Sequence, residues 1–209
     1  MSSETPFPDE PEDSREAIMR ATYRALKQYG YAGLSIQRIA GEADLSKSTF
    51  YHPYDDKQDL LTAFVDYILK MFTRVFSVEA GDDPQENLRT FVRLVIDPTS
   101  ATEVTEPSST ATVLGTYVEL RAQAVQDETF REKFTEVDHG FEQQLADIVA
   151  EGVDSGIFRD VDPEQTATFV ATLVAGQTFR QPTRTEASSD AIIEAFDDYV
   201  ERALLAADA

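Results

Sequence analysis

Residues 34–60 read LSIQRIAGEADLSKSTFYHPYDDKQDL. Two short apolar-periodic segments flank a tight acidic turn, and a row of small polar and aromatic residues comes next. Ser35 is placed to cap the first segment, which has Ile36, Ile39, Ala40 and Ala43 on one face. Asp44 stands at the turn, where Asp tolerates a left-handed backbone better than most residues other than glycine. Ser46 caps a second helix of about two turns. Ile36, Ile39, Ala40, Leu45 and Phe50 make a small inner face, which leaves Lys47, Ser48, Thr49, Tyr51 and His52 pointing outward. A short helix, a compact turn and a second short helix can set the second helix in the DNA major groove while the first crosses the backbone. Lysine and the hydroxyls bond phosphates or base edges, and threonine adds a methyl contact. The amides at the helix starts favour phosphate, and Lys57 adds a positive charge beside them.

The charge distribution points the same way. The chain of 209 residues has 39 carboxylates against 18 lysines and arginines, a net charge of −21. Residues 1–13 carry five acids and no base, residues 14–59 seven bases and six acids, and residues 60–209 eleven bases and 28 acids. Only the segment holding the helix pair escapes acidification, as a polyanionic partner requires. Five lysines beside 13 arginines and this excess of carboxylate fit a halophilic origin, where salt screens self-repulsion. An ordinary acidic bacterial protein is the plainer alternative. The absence of cysteine excludes disulfides and thiol chemistry. No apolar run of membrane-spanning length and no signal-peptide pattern is present, and with the lack of cysteine a cytoplasmic location is the expectation.

Helical periodicity runs through the rest. Residues 1–13 form an acidic tail expected to be disordered. Ser14 caps a helix with Ile18, Ala21, Thr22, Ala25, Leu26 and Tyr29 on one face, stopped by Gly30. Asp55 or Asp56 starts a long helix striped with Leu60, Leu61, Phe64, Val65, Ile68, Phe72 and Val75. Asp83-Pro84 and Asp162-Pro163 are start signals. Further helices are expected over 108–126, from Phe130 to near Gly156, and over 189–205. No convincing strand appears. The fold class is all-α with about nine helices: a three-helix N-terminal helix-turn-helix domain and a larger C-terminal helical domain.

The run from Ile39 to Tyr51, IAGEADLSKSTFY, followed by Tyr54, Lys57, Asp59, Leu60 and Leu61, resembles the N-terminal domain of TetR-family transcriptional regulators. So does the preceding YGYAGLSIQRIA, while SGIFRDVDPEQTA resembles a turn common among them. The resemblance implies a homodimeric, sequence-specific regulator, a repressor, that reads a pseudo-palindromic double-stranded operator and responds to a small-molecule effector. It implies a DNA-binding domain over 14–60 with a linking helix to about 76, and an effector-binding and dimerisation domain over 77–209. Carried over residue by residue, Ser35, Arg38, Lys47, Ser48, Thr49, Tyr51, His52, Tyr54 and Lys57 are the DNA contacts, with Tyr51 and Lys57 as phosphate clamps. Tyr54 is equally a candidate apolar anchor, and Ser35 and Ser46 are candidate plain caps. Two positions depart from the family pattern. Asp44 replaces the turn glycine, and Pro53 replaces a histidine, so the helix before it should end early or kink.

Arg93, Tyr117, Glu119, Arg121, Gln177 and Arg180 are polar groups on otherwise apolar helices and are the candidates for orienting an effector. Phe179 and Tyr67 read as core. The helices over 128–155 and 163–181 are the first candidates for dimerisation, helped by Ala175 and Gly176, and the last helix is the second. Two rival classes remain: a helical protein-interaction adaptor and, less favoured, an enzyme. Against an enzyme, only His52 and His139 exist, and no cofactor, metal or nucleophile motif stands out. Glu136, His139 and Glu142 follow one helix side but do not make a complete metal site.

Overall fold

The computed structural model describes residues 11, 13–43, 53–76, 81, 83–96, 107–185 and 189–206. The regular secondary structure among those residues is helical, with one isolated antiparallel bridge between Phe158 and Leu205. The helices are α1 (Ser14–Gly33), α2 (Ile36–Ala43), α3 (Lys57–Phe76), α4 (Pro84–Ile96), α5 (Pro107–Gln123), α6 (Glu128–Asp154), α7 (Pro163–Arg180) and α8 (Asp190–Tyr199), which continues as a π-helical turn, Val200–Leu204. No described helix is long and apolar enough to cross a membrane. The expected acidic tail lies largely outside the described residues, as does the segment 44–52.

Most helix starts derive from the residues read as caps. Asp162 accepts the Gln165 N–H at 3.0 Å, and Asp83 accepts the Gln85 N–H at 2.9 Å, each just ahead of a proline that needs no N–H partner. Ser35 receives the Arg38 N–H at 3.3 Å, and Asp56 receives the Asp59 N–H at 2.9 Å. The first cap is a correction. Asp13, not Ser14, closes α1 by accepting the Glu16 N–H at 2.8 Å. Its carboxylate is the stronger acceptor for a helix N-terminus, and Ser14 becomes the first helical residue. Helix α5 ends at Gln123 rather than Gln126, because residues 124–126 form a turn that leads to the Asp127 cap of α6.

The chain forms two compact units, residues 1–71 with 111–134, and residues 72–110 with 135–209. In the first, α1 packs on α2 and buries Ile18, Met19, Ala21, Tyr23, Ala25 and Leu26. Ile39 and Ala40 from α2, and Leu60, Leu61, Phe64, Val65 and Ile68 from α3, are buried in the same unit. From the later segment come Leu114, Leu120, Phe130 and Phe134. Tyr67 is a partial exception to its core reading. It is half-buried, and its hydroxyl donates to Glu16 Oε1 at 3.2 Å, an atom that also receives the buried Arg20 at 2.8 Å.

In the second unit, α4, α6, α7 and the last helix share one core. It contains Leu88, Phe91, Val92 and Ile96, then Leu145 and Val149, then Ala167, Val170 and Val174, and finally Phe196, Val200 and Leu204. Phe91 and Phe141 stack at 4.9 Å. The turn after α6 folds Phe158 back onto Gly152 so closely that a Cβ there would stand 2.1 Å from the ring. That turn also receives the residues after the last helix: Arg159 N–H donates to the Leu204 carbonyl at 2.8 Å and Arg159 Nε to the Leu205 carbonyl at 2.7 Å. Phe179, expected in the core, is 59% exposed. Helix α7 carries apolar residues on two sides, and Ala167, Val170 and Val174 take the inner one.

Two consequences are measurable. Gly152→Ala forces the Phe158 ring to move and should cost about 1–3 kcal/mol, the usual range for overpacking. Urea titration checks it, and Phe158→Leu in the same chain should recover part of the loss. The second concerns alkali. Burial, then the Glu16 carboxylate, pushes the Tyr67 phenol up to about 12, and burial pushes Tyr23 up further. The unfolded chain ionises these groups near pH 10, so folded stability is complete below that pH and falls as pH rises from about 10 towards 12. Tyr67→Phe should flatten that decline in denaturation curves taken at pH 9, 10 and 11.

Candidate nucleic-acid interface

The frame of the helix pair is set where α1 ends. Gly30 takes φ 64° and ψ 172°, a conformation essentially reserved for glycine, and breaks the regular helix there. The chain then runs through Tyr31 and Gly33 into Leu34 and the Ser35-capped α2. Ile39 and Ala40 turn inward and Ile36 is half-buried, as the inner-face pattern requires. The far end of α2 is held by α1, because Arg24 donates to the Glu42 carbonyl at 2.7 Å. That contact has no local sequence signal, since the partners stand 18 residues apart.

The predicted contacts divide into two groups. Lys47, Ser48, Thr49, Tyr51 and His52 lie outside the described residues, together with Asp44, Leu45, Ser46 and Phe50. Ser35, Arg38, Tyr54 and Lys57 are described, and each has an internal role. Ser35 caps α2. Arg38, on the exposed side, donates to the Gly33 carbonyl and lies over the Tyr29 ring at 4.5 Å. Lys57 Nζ donates to the Tyr31 carbonyl at 3.5 Å and sits 5.1 Å above the Tyr31 ring. Tyr54 is only 6% exposed, and burial raises its phenol pKa against the opposing effect of Arg15. Of its two readings, the apolar anchor is the one its position matches. Pro53 is exposed and lies in a turn ahead of α3.

At each of the two helix starts one amide is already taken by a cap. The third amide of α2 is taken by Ser35, and the third amide of α3 by the Asp56 carboxylate, while Asp59 accepts the Asp55 N–H at 3.1 Å. An acid at the positive end of α3 stands where phosphate was expected to gain.

The six effector candidates do not gather in one unit. Tyr117, Glu119 and Arg121 belong to the first, and Arg93, Gln177 and Arg180 to the second. Arg121 donates to the Tyr117 hydroxyl at 2.9 Å and stacks 5.3 Å over Phe134. Glu119 accepts the Tyr31 backbone N–H at 2.9 Å. Arg93 pairs with Asp197 at 2.7 Å, Gln177 is buried and Arg180 is exposed. Among the described residues no cluster of ligating side chains could hold a metal ion.

Comparison with known proteins covers both parts of the chain. Residues 18–64 match the family described as bacterial regulatory proteins, tetR family, and residues 84–205 match the BetI-type transcriptional repressor, C-terminal family. The HTH-type transcriptional regulator BetI of Stenotrophomonas maltophilia is 35% identical over 81 residues, which span 37% of this chain and 41% of that protein. A TetR transcription regulator from Haloarcula marismortui superposes with a TM-score of 0.80 at 31% identity, covering 92% of this chain and 98% of the other. A putative transcriptional regulator from Saccharomonospora viridis, solved in complex with choline, has a TM-score of 0.78 at 21% identity over 92% of this chain and 98% of that one. This last likeness concerns the fold alone.

Proposed function

Because the chain belongs to the tetR family of bacterial regulatory proteins, with a C-terminal domain of the BetI-type repressor kind, we propose that it is a homodimeric repressor of a pseudo-palindromic operator, modulated by a small molecule. The observation that carries this reading is the joint match of 18–64 and 84–205, beside a described frame in which the short, Ser35-capped α2 packs on α1. The residues from Lys47 to His52, beyond that helix, read the groove, Lys47, Ser48 and Thr49 meeting bases or phosphates and Tyr51 clamping phosphate. Ser35, Arg38 and Lys57 flank them, and Tyr54 anchors the turn.

Dimerisation falls to the outer face of α7. Phe169 is 50% exposed and Phe179 59%, ten residues apart on one side, with exposed Gly176 between them. A second copy would bury both rings, and the glycine lets helices approach closely. The acidic composition, low in lysine, supports a halophilic, cytoplasmic setting in which salt screens the charge. The effector belongs to the C-terminal domain. Gln177, a buried polar group on α7, is the first candidate there to orient it. Choline, the ligand of the Saccharomonospora viridis protein, is the first compound to test.

The decisive experiment enriches duplexes from a random pool on the purified protein. Paired half-sites related by a two-fold axis are expected, and a pool without enrichment overturns the reading. On the selected duplex, log affinity against log salt should fall with a slope shallower than roughly −4, fewer phosphates than the 6–10 of ordinary readers, because the reading segment is near neutral. Lys47→Ala should lessen the slope by about 1 per subunit. A separate test concerns assembly. Sedimentation of a Phe169→Asp, Phe179→Asp double variant should give a folded monomer, whereas a persistent dimer places the interface elsewhere.

A further inference from the structure

Glu119 is in α5, within the segment 111–134 that packs into the same compact unit as residues 1–71. Its Oε2 accepts the Tyr31 backbone N–H at 2.9 Å, and a Cβ on Gly30 would stand 3.6 Å from its Oε1. The carbonyl of the same Tyr31 receives Lys57 Nζ at 3.5 Å. Two residues on, the Gly33 carbonyl receives Arg38 from α2. The peptide groups at the end of α1 are therefore held by three charged side chains, Arg38 from α2, Lys57 from α3 and Glu119 from α5.

The need for them arises at Gly30. With φ 64° and ψ 172° there, the backbone leaves the helical path, and the Tyr31 N–H no longer faces a carbonyl one turn back. A carboxylate is the strongest common acceptor for such an orphan, and Glu119 supplies it from 88 residues away. A neighbouring contact runs the same way: Asp127, ahead of α6, accepts from Gln58 in the first turn of α3. The later segment of the chain thus grips the reading frame at the turn that sets the direction of α2.

Resting on the DNA-reading assignment, we propose that Glu119 is a positioning residue for the reader: from α5 it fixes the Gly30–Leu34 turn, and through that turn the approach of α2 and the groove-facing segment to DNA. Charge alone predicts the opposite sign for its removal, since deleting a carboxylate near a polyanion tightens binding. Weaker binding therefore reports the lost contact.

The test compares Glu119→Ala and Glu119→Gln in the full chain. Exchange of the Tyr31 amide is followed by NMR in the DNA-free protein, and operator affinity is measured on the duplex selected by the wild-type protein. Alanine should speed exchange at Tyr31 and weaken operator binding about three- to tenfold, the equivalent of roughly 0.7–1.4 kcal/mol. Glutamine, which keeps a carbonyl acceptor at the same reach, should restore both. A Tyr31 amide that exchanges no faster in Glu119→Ala overturns the proposal, as does a freed amide with undiminished affinity. A wild-type protein that selects no duplex removes the DNA reading and the proposal with it, and is told apart because the amide is read without DNA.

Discussion

The turn at Gly30 is the constraint on which the reading unit depends. A backbone at φ 64° and ψ 172° is closed to residues with a side chain, so the chain can leave α1 in this direction only because glycine stands there. The next element, α2, is a helix of eight residues, too short to persist by its own propensity. It persists because both ends are gripped: Ser35 and Arg38 at the start, Arg24 on the Glu42 carbonyl at the finish, and Ile39 and Ala40 beneath. The surrounding structure thereby supplies both the existence of α2 and its position.

The second unit rests on a different balance. Its core joins apolar residues from α4, α6, α7 and the last helix, and burial of that kind outweighs any single polar contact. The ion pairs joining Arg89 and Arg93 to Asp197 and Glu201 are partly exposed, so each contributes little to stability. Their effect is to fix register between α4 and α8. After the π turn at Val200–Leu204, the carbonyls of Leu204 and Leu205 are claimed by Arg159, which ties this segment to the turn after α6.

Local chemistry was legible in the residues, and long-range chemistry was not. Proline after aspartate announces α4 and α7, because cap and first turn lie within a few residues of one another. The choice of Asp13 over Ser14 is the limit of that legibility, since adjacent residues both make good caps. Phe179 could not be placed, because a helix with apolar residues on two sides does not say which side is inner. Glu119 looked like a polar group waiting for a ligand; its partner is a backbone amide exposed by a turn 88 residues earlier, and no periodicity encodes that. Lys47 to His52, which the motif alone offers as groove readers, lie outside the described residues.

On the proposed function, an acidic chain must also reconcile its caps with a polyanionic ligand. Asp13, Asp56, Asp83 and Asp162 all satisfy helix starts with carboxylates, which suits a molecule rich in acids. At α3 the same device sets an anion at the positive end of the helix that carries Lys57. Lys57 itself is shared with the Tyr31 carbonyl, and Arg38 with that of Gly33. A phosphate arriving at this edge exchanges one partner for another instead of meeting bare donors, so its net gain is the small difference between two hydrogen bonds. On that proposal, discrimination between duplexes has to come from geometry, to which the turn at Gly30 contributes by setting the direction of α2.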